Sequence, residues 1–115
     1  MQKQPKVVND QIGSPTYAYD LAKVILKIIM NYKTESGLFH YSNEGEISWF
    51  EFAKSIRELC NLDCKIIEFS SKEFNTLAKR PQYSVLNKSK IKTDFKIEIP
   101  YWRDSLKDCI EKIIN

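Results

Sequence analysis

The sequence predicts a mixed α and β domain, an α+β arrangement of about four to five helices with two to three short strands. Three observations carry this. Apolar residues recur at helical spacing across 49–60 and 102–113, the β-type runs at 38–41 and 65–69 are only four or five residues long, and turn-forming clusters separate these segments. A chain of 115 residues suffices for one domain with a single modest core, so residues 1–115 read as one unit. Three glycines and four prolines exclude a collagen-like or low-complexity chain, and 43% hydrophobic residues exclude a wholly disordered one.

The elements follow in order. Val7 and Val8 are extended, and Asn9 to Pro15 is loop chemistry, rich in side chains that bond to backbone. A helix is expected over about Tyr19 to Tyr32, with Ser14, Thr16 or Asp20 available to satisfy its first N–H groups. Glu35-Ser36-Gly37 ends that segment, Leu38 to Tyr41 reads as a strand, and Asn43-Glu44-Gly45 as a turn. Ser48-Trp49-Phe50-Glu51 has the form of a capping box, in which the Ser hydroxyl and the Glu carboxylate each serve the other's N–H group. Behind it Trp49, Phe52, Ala53, Ile56, Leu59 and Cys60 form one helical face, with Glu51, Lys54, Ser55 and Glu58 facing out. Lys65 to Phe69 reads as a strand, and Ser70 or Ser71 can cap a short helix through Leu77. Asn87 can cap another over Lys88–Phe95, and Pro100 opens a last helix whose buried stripe is Trp102, Leu106, Cys109, Ile110 and Ile113.

The first helix is unusual. Its polar residues Lys23, Lys27 and Asn31 repeat every fourth position and make one narrow strip, while the remaining surface is aliphatic. Two amphipathic helices and two short strands offer little to cover it. The expected cover is a sheet from another part of the same protein or a second subunit, so the isolated chain should self-associate.

Lys23 and Lys27 interrupt the longest apolar run, so a membrane span is not expected, and Met1 to Lys6 lack the apolar core of a secretory signal. Three cysteines leave one unpaired even if a bridge formed, which suits a reducing cytoplasm. Cys60, Cys64, Cys109 and His40 formally make a zinc set, but Cys109 lies on a buried stripe and His40 on a strand near the core, so no metal site is assigned. Charge is uneven. Residues 1–78 carry nine basic and ten acidic side chains, whereas residues 79–115 carry nine and five, which favours anions near the end of the chain.

Three ordered stretches resemble one family. Val8 to Ala22, with Asp10-Gln11-Ile12-Gly13-Ser14-Pro15-Thr16 and Asp20-Leu21-Ala22, is similar to the D-Q-x-G-x-P-T…D-L-A segment of the dTDP-4-dehydrorhamnose reductases. Gly37-Leu38-Phe39-His40 resembles their G-x-F/Y-H strand, followed by the helix start at Ser48. Arg80-Pro81-Gln82-Tyr83-Ser84-Val85-Leu86-Asn87 resembles R-P-x-x-S-x-L-D/N. The resemblance implies the C-terminal, substrate-binding part of an extended Rossmann-type short-chain reductase. That family reduces dTDP-4-dehydro-L-rhamnose to dTDP-L-rhamnose with NADPH or NADH. Gly13, Gly37 and Gly45 are too sparse for a dinucleotide-binding turn, so this chain is expected to bind no cofactor. The resemblance places the family's catalytic Ser/Thr, Tyr and Lys upstream of the D-Q-x-G segment, which implies that this chain carries no catalytic residue and is inactive alone.

The site expected from these readings is substrate-binding. Arg80 suits a diphosphate, since a planar guanidinium grips two phosphate oxygens at once, and Lys79, Lys88, Lys90, Lys92 and Lys96 make its surroundings basic. The alternative is a solvated basic face. Gln11, Ser14 and Thr16 could contact a sugar or a thymine edge, or serve local backbone, and Asn87 divides between ligand contact and the cap, which is favoured. Tyr19 and Lys23 match the Y-x-x-x-K spacing of a catalytic pair, but six Tyr in so Lys-rich a chain make chance matches expected, and Tyr19 is read as packing. Trp49 and Trp102 could stack on a base or sugar, with packing favoured for both. Two rival functions remain: a non-catalytic interaction homologue of the same fold, and a small nucleic-acid-binding module. The second lacks exposed aromatics interleaved with its basic residues, so no nucleic-acid partner is assigned.

Overall fold

Val7 and Val8 extend and find their partner far along the chain. In the computed structural model, which describes residues 4–31, 37–73 and 78–114, β1 (Lys6–Val8) runs parallel to β4 (Ile67–Phe69), with Lys6 opposite Ile67 and Val8 opposite Phe69. Parallel strands cannot be joined by a tight turn. The connection instead carries β2 (Ile12–Gly13), α1 (Ala18–Met30), β3 (Ile47–Ser48) and α2 (Trp49–Cys60). After β4 come a 3₁₀ turn at Ser71–Glu73, α3 (Ser89–Phe95) and α4 (Trp102–Ile114). The mixed α and β architecture is the expected one, with four α-helices among the described residues. The strands exceed expectation because β2 and β3, an antiparallel pair of two residues each, are too short to show an alternating pattern.

α2 begins with one half of the reciprocal capping box: Ser48 Oγ accepts the Glu51 N–H at 3.1 Å, and among the described residues the Glu51 carboxylate does not return the bond. Asn61 closes it in the left-handed region at φ 54°. Ser55 was expected outside but is buried, because Arg103 of α4 reaches across to donate to its hydroxyl at 2.5 Å and to Glu58 at 3.1 Å. Ile113, expected on the buried stripe of α4, is exposed, as that stripe outruns its neighbours in the last turn.

Leu38 to Tyr41 are not a strand. Residues 37–43 run without regular structure, held by side chains instead of a ladder. Phe39 meets Phe95 edge-on with ring centroids 5.2 Å apart, and Lys90 Nζ lies over the Phe39 ring while donating to the Leu38 carbonyl at 3.1 Å. His40, expected near the core, is exposed. The apolar cluster forms around Val24, Ile91 and Ile97, with Ile28, Phe39, Tyr41, Phe95 and Ile99 against it.

The start of α1 departs from expectation in an instructive way. None of Ser14, Thr16 and Asp20 caps it. Asn43, from the turn before β3, supplies its Oδ1 to the Tyr17 N–H at 2.7 Å. Its Nδ2 donates to Asp20 Oδ2 at 2.8 Å, Ser105 Oγ at 3.0 Å and the Pro100 carbonyl at 3.3 Å, and Ser105 donates in turn to Asp20. Asn43 is 1% exposed, and its own N–H reaches the Pro15 carbonyl at 3.1 Å.

The aliphatic surface of α1 is bare. Val24 is buried and Ile28 half-buried, but Ile25, Leu26 and Ile29 are exposed and Met30 is 82% exposed. The expected helix end near Tyr32, the Glu35-Ser36 break and the short helix toward Leu77 lie outside the described residues.

Replacing Asn43 with Ala leaves the Tyr17 N–H without its acceptor and the buried Asp20 carboxylate with the Ser105 hydroxyl as its remaining side-chain donor among the described residues. Asn43→Ala should cost about 3 kcal/mol of folding stability. Urea unfolding followed by circular dichroism checks this: the midpoint should fall while the slope stays unchanged.

Candidate binding cleft

Three stretches of chain make the cleft because β2 pairs on both sides. Toward β3, Ile12 lies opposite Ser48 and Gly13 opposite Ile47. On its other side Ile12 N–H donates to the Gln82 carbonyl at 2.8 Å, and Ser84 N–H to the Ile12 carbonyl at 2.9 Å. The loop carrying Gln11 to Thr16 therefore sits between the start of α2 and the segment carrying Arg80. Together they enclose an open cleft of about 330 Å³.

The loop is held from below. Pro15 accepts from Asn43, and Ser14 Oγ donates to the Gly45 carbonyl at 2.6 Å. Gly45 adopts φ 113°, a conformation L side chains rarely reach, and a Cβ there would lie 2.3 Å from the Trp102 ring. Glycine is required at that position on both counts.

Gln11, Ser14, Thr16 and Arg80 all line this cleft. Asn87 does not: its Oδ1 accepts from the Ser89 N–H at 3.0 Å and from the Ser89 hydroxyl at 2.8 Å, a capping role at the start of α3. Ser14 is partly committed through its bond to Gly45. Arg80 is exposed; among the described residues it is the one charged side chain on the cleft wall, and no carboxylate pairs with it.

The expected basic surroundings of Arg80 are partly engaged elsewhere, while Lys79 and Lys96 are exposed. Lys88 is buried, 2.7 Å from Glu44 and 2.9 Å from the Asn43 carbonyl, and Lys92 is 2.8 Å from Glu44. Lys90 is engaged at Leu38 and Phe39. Hydrogen bonds from Lys88 and then Lys92 hold the Glu44 carboxyl below its ordinary range. Beside this network Tyr41 buries a hydroxyl that has no hydrogen-bond partner among the described residues. Burial, then the negative charges of Asp20 and Glu44, push that hydroxyl up to about 12.

One of the two tryptophan readings changes. Trp102 is buried, as expected. Trp49 is 54% exposed on the cleft wall, with Phe52 edge-on to it at 6.2 Å. Position in the helix does not decide this, since Trp102 stands in the same first position of α4 and is buried. The sequence held no signal that separates the two. Ile47, Phe52 and Ser84, which also line the cleft, carried no signal either.

Tyr19 packs, but against cations. Lys112 Nζ lies 3.4 Å and Lys23 Nζ 4.5 Å from its ring centroid, so both ammonium groups sit over the ring and not at the hydroxyl. Among the described residues no three His, Cys, Asp or Glu side chains converge as metal ligands would, and no helix is long and apolar enough to cross a membrane.

The cleft thus joins an exposed guanidinium, hydrogen-bonding side chains and an aromatic wall on one mixed α and β lobe. The chain belongs to the RmlD substrate binding domain family, whose profile matches residues 1–115. It is 36% identical over 111 residues to the spore coat polysaccharide biosynthesis protein SpsK of Bacillus subtilis (strain 168), covering 96% of this chain and 38% of that protein. It is 35% identical over 113 residues to the dTDP-4-dehydrorhamnose reductase of Aggregatibacter actinomycetemcomitans, covering 89% and 38%. The crystal structure of the dTDP-4-dehydrorhamnose reductase of Bacillus anthracis str. Ames in complex with NADP superposes with a TM-score of 0.89 at 36% identity, over 96% of this chain and 39% of that one. The Clostridium acetobutylicum orthologue gives 0.88 at 38% identity, over 97% and 39%. The chain thus spans under two-fifths of the length of these relatives, and its fold is that of the corresponding part of the reductases.

The Glu44 network sets a dependence on acid. A carboxyl held low in the folded chain stabilises fully above its ordinary value, and that stabilisation is lost as pH falls through the lower folded value. Glu44→Gln should lower the urea midpoint at neutral pH, because Lys88 stays buried without its counter-ion. It should also flatten the loss of stability between about pH 6 and about pH 3. Parallel profiles for the two proteins would contradict this.

Proposed function

We propose that residues 1–115 act as one substrate-binding unit that holds a dTDP-sugar for an NADPH- or NADH-dependent reductase of the dTDP-4-dehydrorhamnose reductase type. The carrying observation is Arg80, the uncountered cation of a cleft whose loop presents Gln11, Ser14 and Thr16. A fork of N–H donors matches two oxygens of a diphosphate, which a lysine ammonium cannot do. In the parent reaction hydride passes from the reduced nicotinamide to the C4 carbonyl of dTDP-4-dehydro-L-rhamnose, and the resulting alkoxide oxygen takes a proton, giving dTDP-L-rhamnose. This chain supplies neither hydride nor proton. It fixes the sugar so that C4 meets the hydride, a positioning contribution. The nicotinamide nucleotide and the proton donor belong to the portion of the relatives that this chain does not span, and the setting is the cytoplasm, where nucleotide sugars are made.

The same reading accounts for α1. Its bare residues Ile25, Leu26, Ile29 and Met30 are the surface through which the unit packs on the rest of the reductase. Alone, the chain covers that face with a second copy of itself. Sedimentation velocity should show dimers or larger species growing with concentration, and a stable monomer at high concentration would contradict it.

Calorimetric titration with dTDP-L-rhamnose tests the ligand. Arg80→Ala should weaken binding about tenfold or more, and Arg80→Lys should restore only part, since an ammonium cannot make the paired contact. Equal affinity for Arg80→Ala and the parent chain would overturn the reading, as would no binding to the parent chain.

A further inference from the structure

We infer that Trp49 is the platform on which the nucleobase of the ligand stacks, so that the cleft holds the two ends of a nucleoside diphosphate with different residues. The inference rests on the nucleotide-sugar reading above and assigns a role to a residue that reading leaves unused.

An exposed indole needs explaining. Trp49 stands in the first position of α2, 54% exposed, while Trp102, in the same position of α4, is buried. Phe52 meets Trp49 edge-on at an interplanar angle of 76°, which orients the indole from one side. Ile47 and Leu86 line the same cleft, so the wall around the indole is apolar, whereas Arg80 brings the positive charge. A flat heteroaromatic ring matches an apolar wall ending in an exposed indole, and a diphosphate does not. Conversely, the guanidinium matches the diphosphate. Stacking of a base on an aromatic side chain contributes to affinity irrespective of base identity, and its removal is measurable.

The cleft volume of about 330 Å³ lies at the lower end of the roughly 300–1,000 Å³ typical of ligand pockets. That size suits the nucleoside diphosphate, with the sugar projecting toward the open side.

The test compares three ligands on the full 115-residue chain: dTDP, dTDP-L-rhamnose and inorganic pyrophosphate. Trp49→Ala should weaken dTDP and dTDP-L-rhamnose alike, by roughly fivefold or more, and leave pyrophosphate within twofold. Trp49→Phe, which keeps a stacking ring, should retain most of the affinity for dTDP and guards against a folding defect in the Ala variant. In the parent chain dTDP should quench the exposed tryptophan fluorescence, and in Trp49→Phe, where only buried Trp102 remains, quenching should vanish. Unchanged dTDP affinity in Trp49→Ala overturns the inference while leaving the nucleotide-sugar reading standing. A loss confined to dTDP-L-rhamnose also overturns it and moves the indole to the sugar. Equal losses for dTDP and pyrophosphate would make Trp49 structural only. Failure of the parent chain to bind dTDP at all removes both readings.

Discussion

The carboxamide of Asn43 joins parts of the chain that share no strand or helix. Its oxygen takes the Tyr17 N–H at the head of α1, and its nitrogen serves Asp20 within α1, Ser105 within α4 and the Pro100 carbonyl before α4. The main chain of the same residue takes the Pro15 carbonyl on one side and the Lys88 ammonium on the other. A carboxylate as deeply buried as Asp20 is tolerated only where donors surround it, and Asn43 and Ser105 provide them. The amide can stand in one orientation only, because one end must accept from a backbone N–H and the other must donate to a carboxylate.

The cleft inherits its shape from that junction. Pro15 is pinned by the Asn43 N–H and Ser14 by the Gly45 carbonyl, so the loop bearing Gln11 and Thr16 has a fixed floor. Lys88 and Lys92 are drawn to Glu44, next in sequence to Asn43, which buries Lys88 and turns Lys92 away from the cleft. Among the described residues that line the cleft, one guanidinium remains for a ligand. A diffuse basic patch would bind anions by charge alone and lose them in salt, whereas one fork-shaped donor beside apolar walls selects for geometry.

Much of this was legible in the amino-acid order, and the failures have physical causes. The capping box at Ser48, the stripe of Trp102, Leu106 and Ile110, and the aliphatic excess of α1 are local patterns, and each is where the periodicity puts it. Gln11, Ser14, Thr16 and Arg80 share one cleft, although spacing alone could not show that β2 draws the Arg80 segment alongside. Non-local pairing defeated the rest. The Leu38 to Tyr41 run has strand composition but packs through its side chains on α3, and Ser55 looks solvent-facing until Arg103 arrives from α4. Asn43 looked like an ordinary turn residue, because nothing in its neighbours reveals partners at Asp20 and Ser105.

The bare face of α1 and the Asn43 junction lie on the same helix: one end is anchored inside the lobe, and the aliphatic flank is left for a partner. The anchor is therefore the element to interrogate, and amide hydrogen exchange at Tyr17 does so most directly. Tyr17 lies just outside α1 with no turn of helix before it, so only the Asn43 oxygen protects its N–H. The account predicts that this amide exchanges as slowly as the interior of α4, opening only with global unfolding. Exchange at the rate of an unprotected loop amide would contradict it.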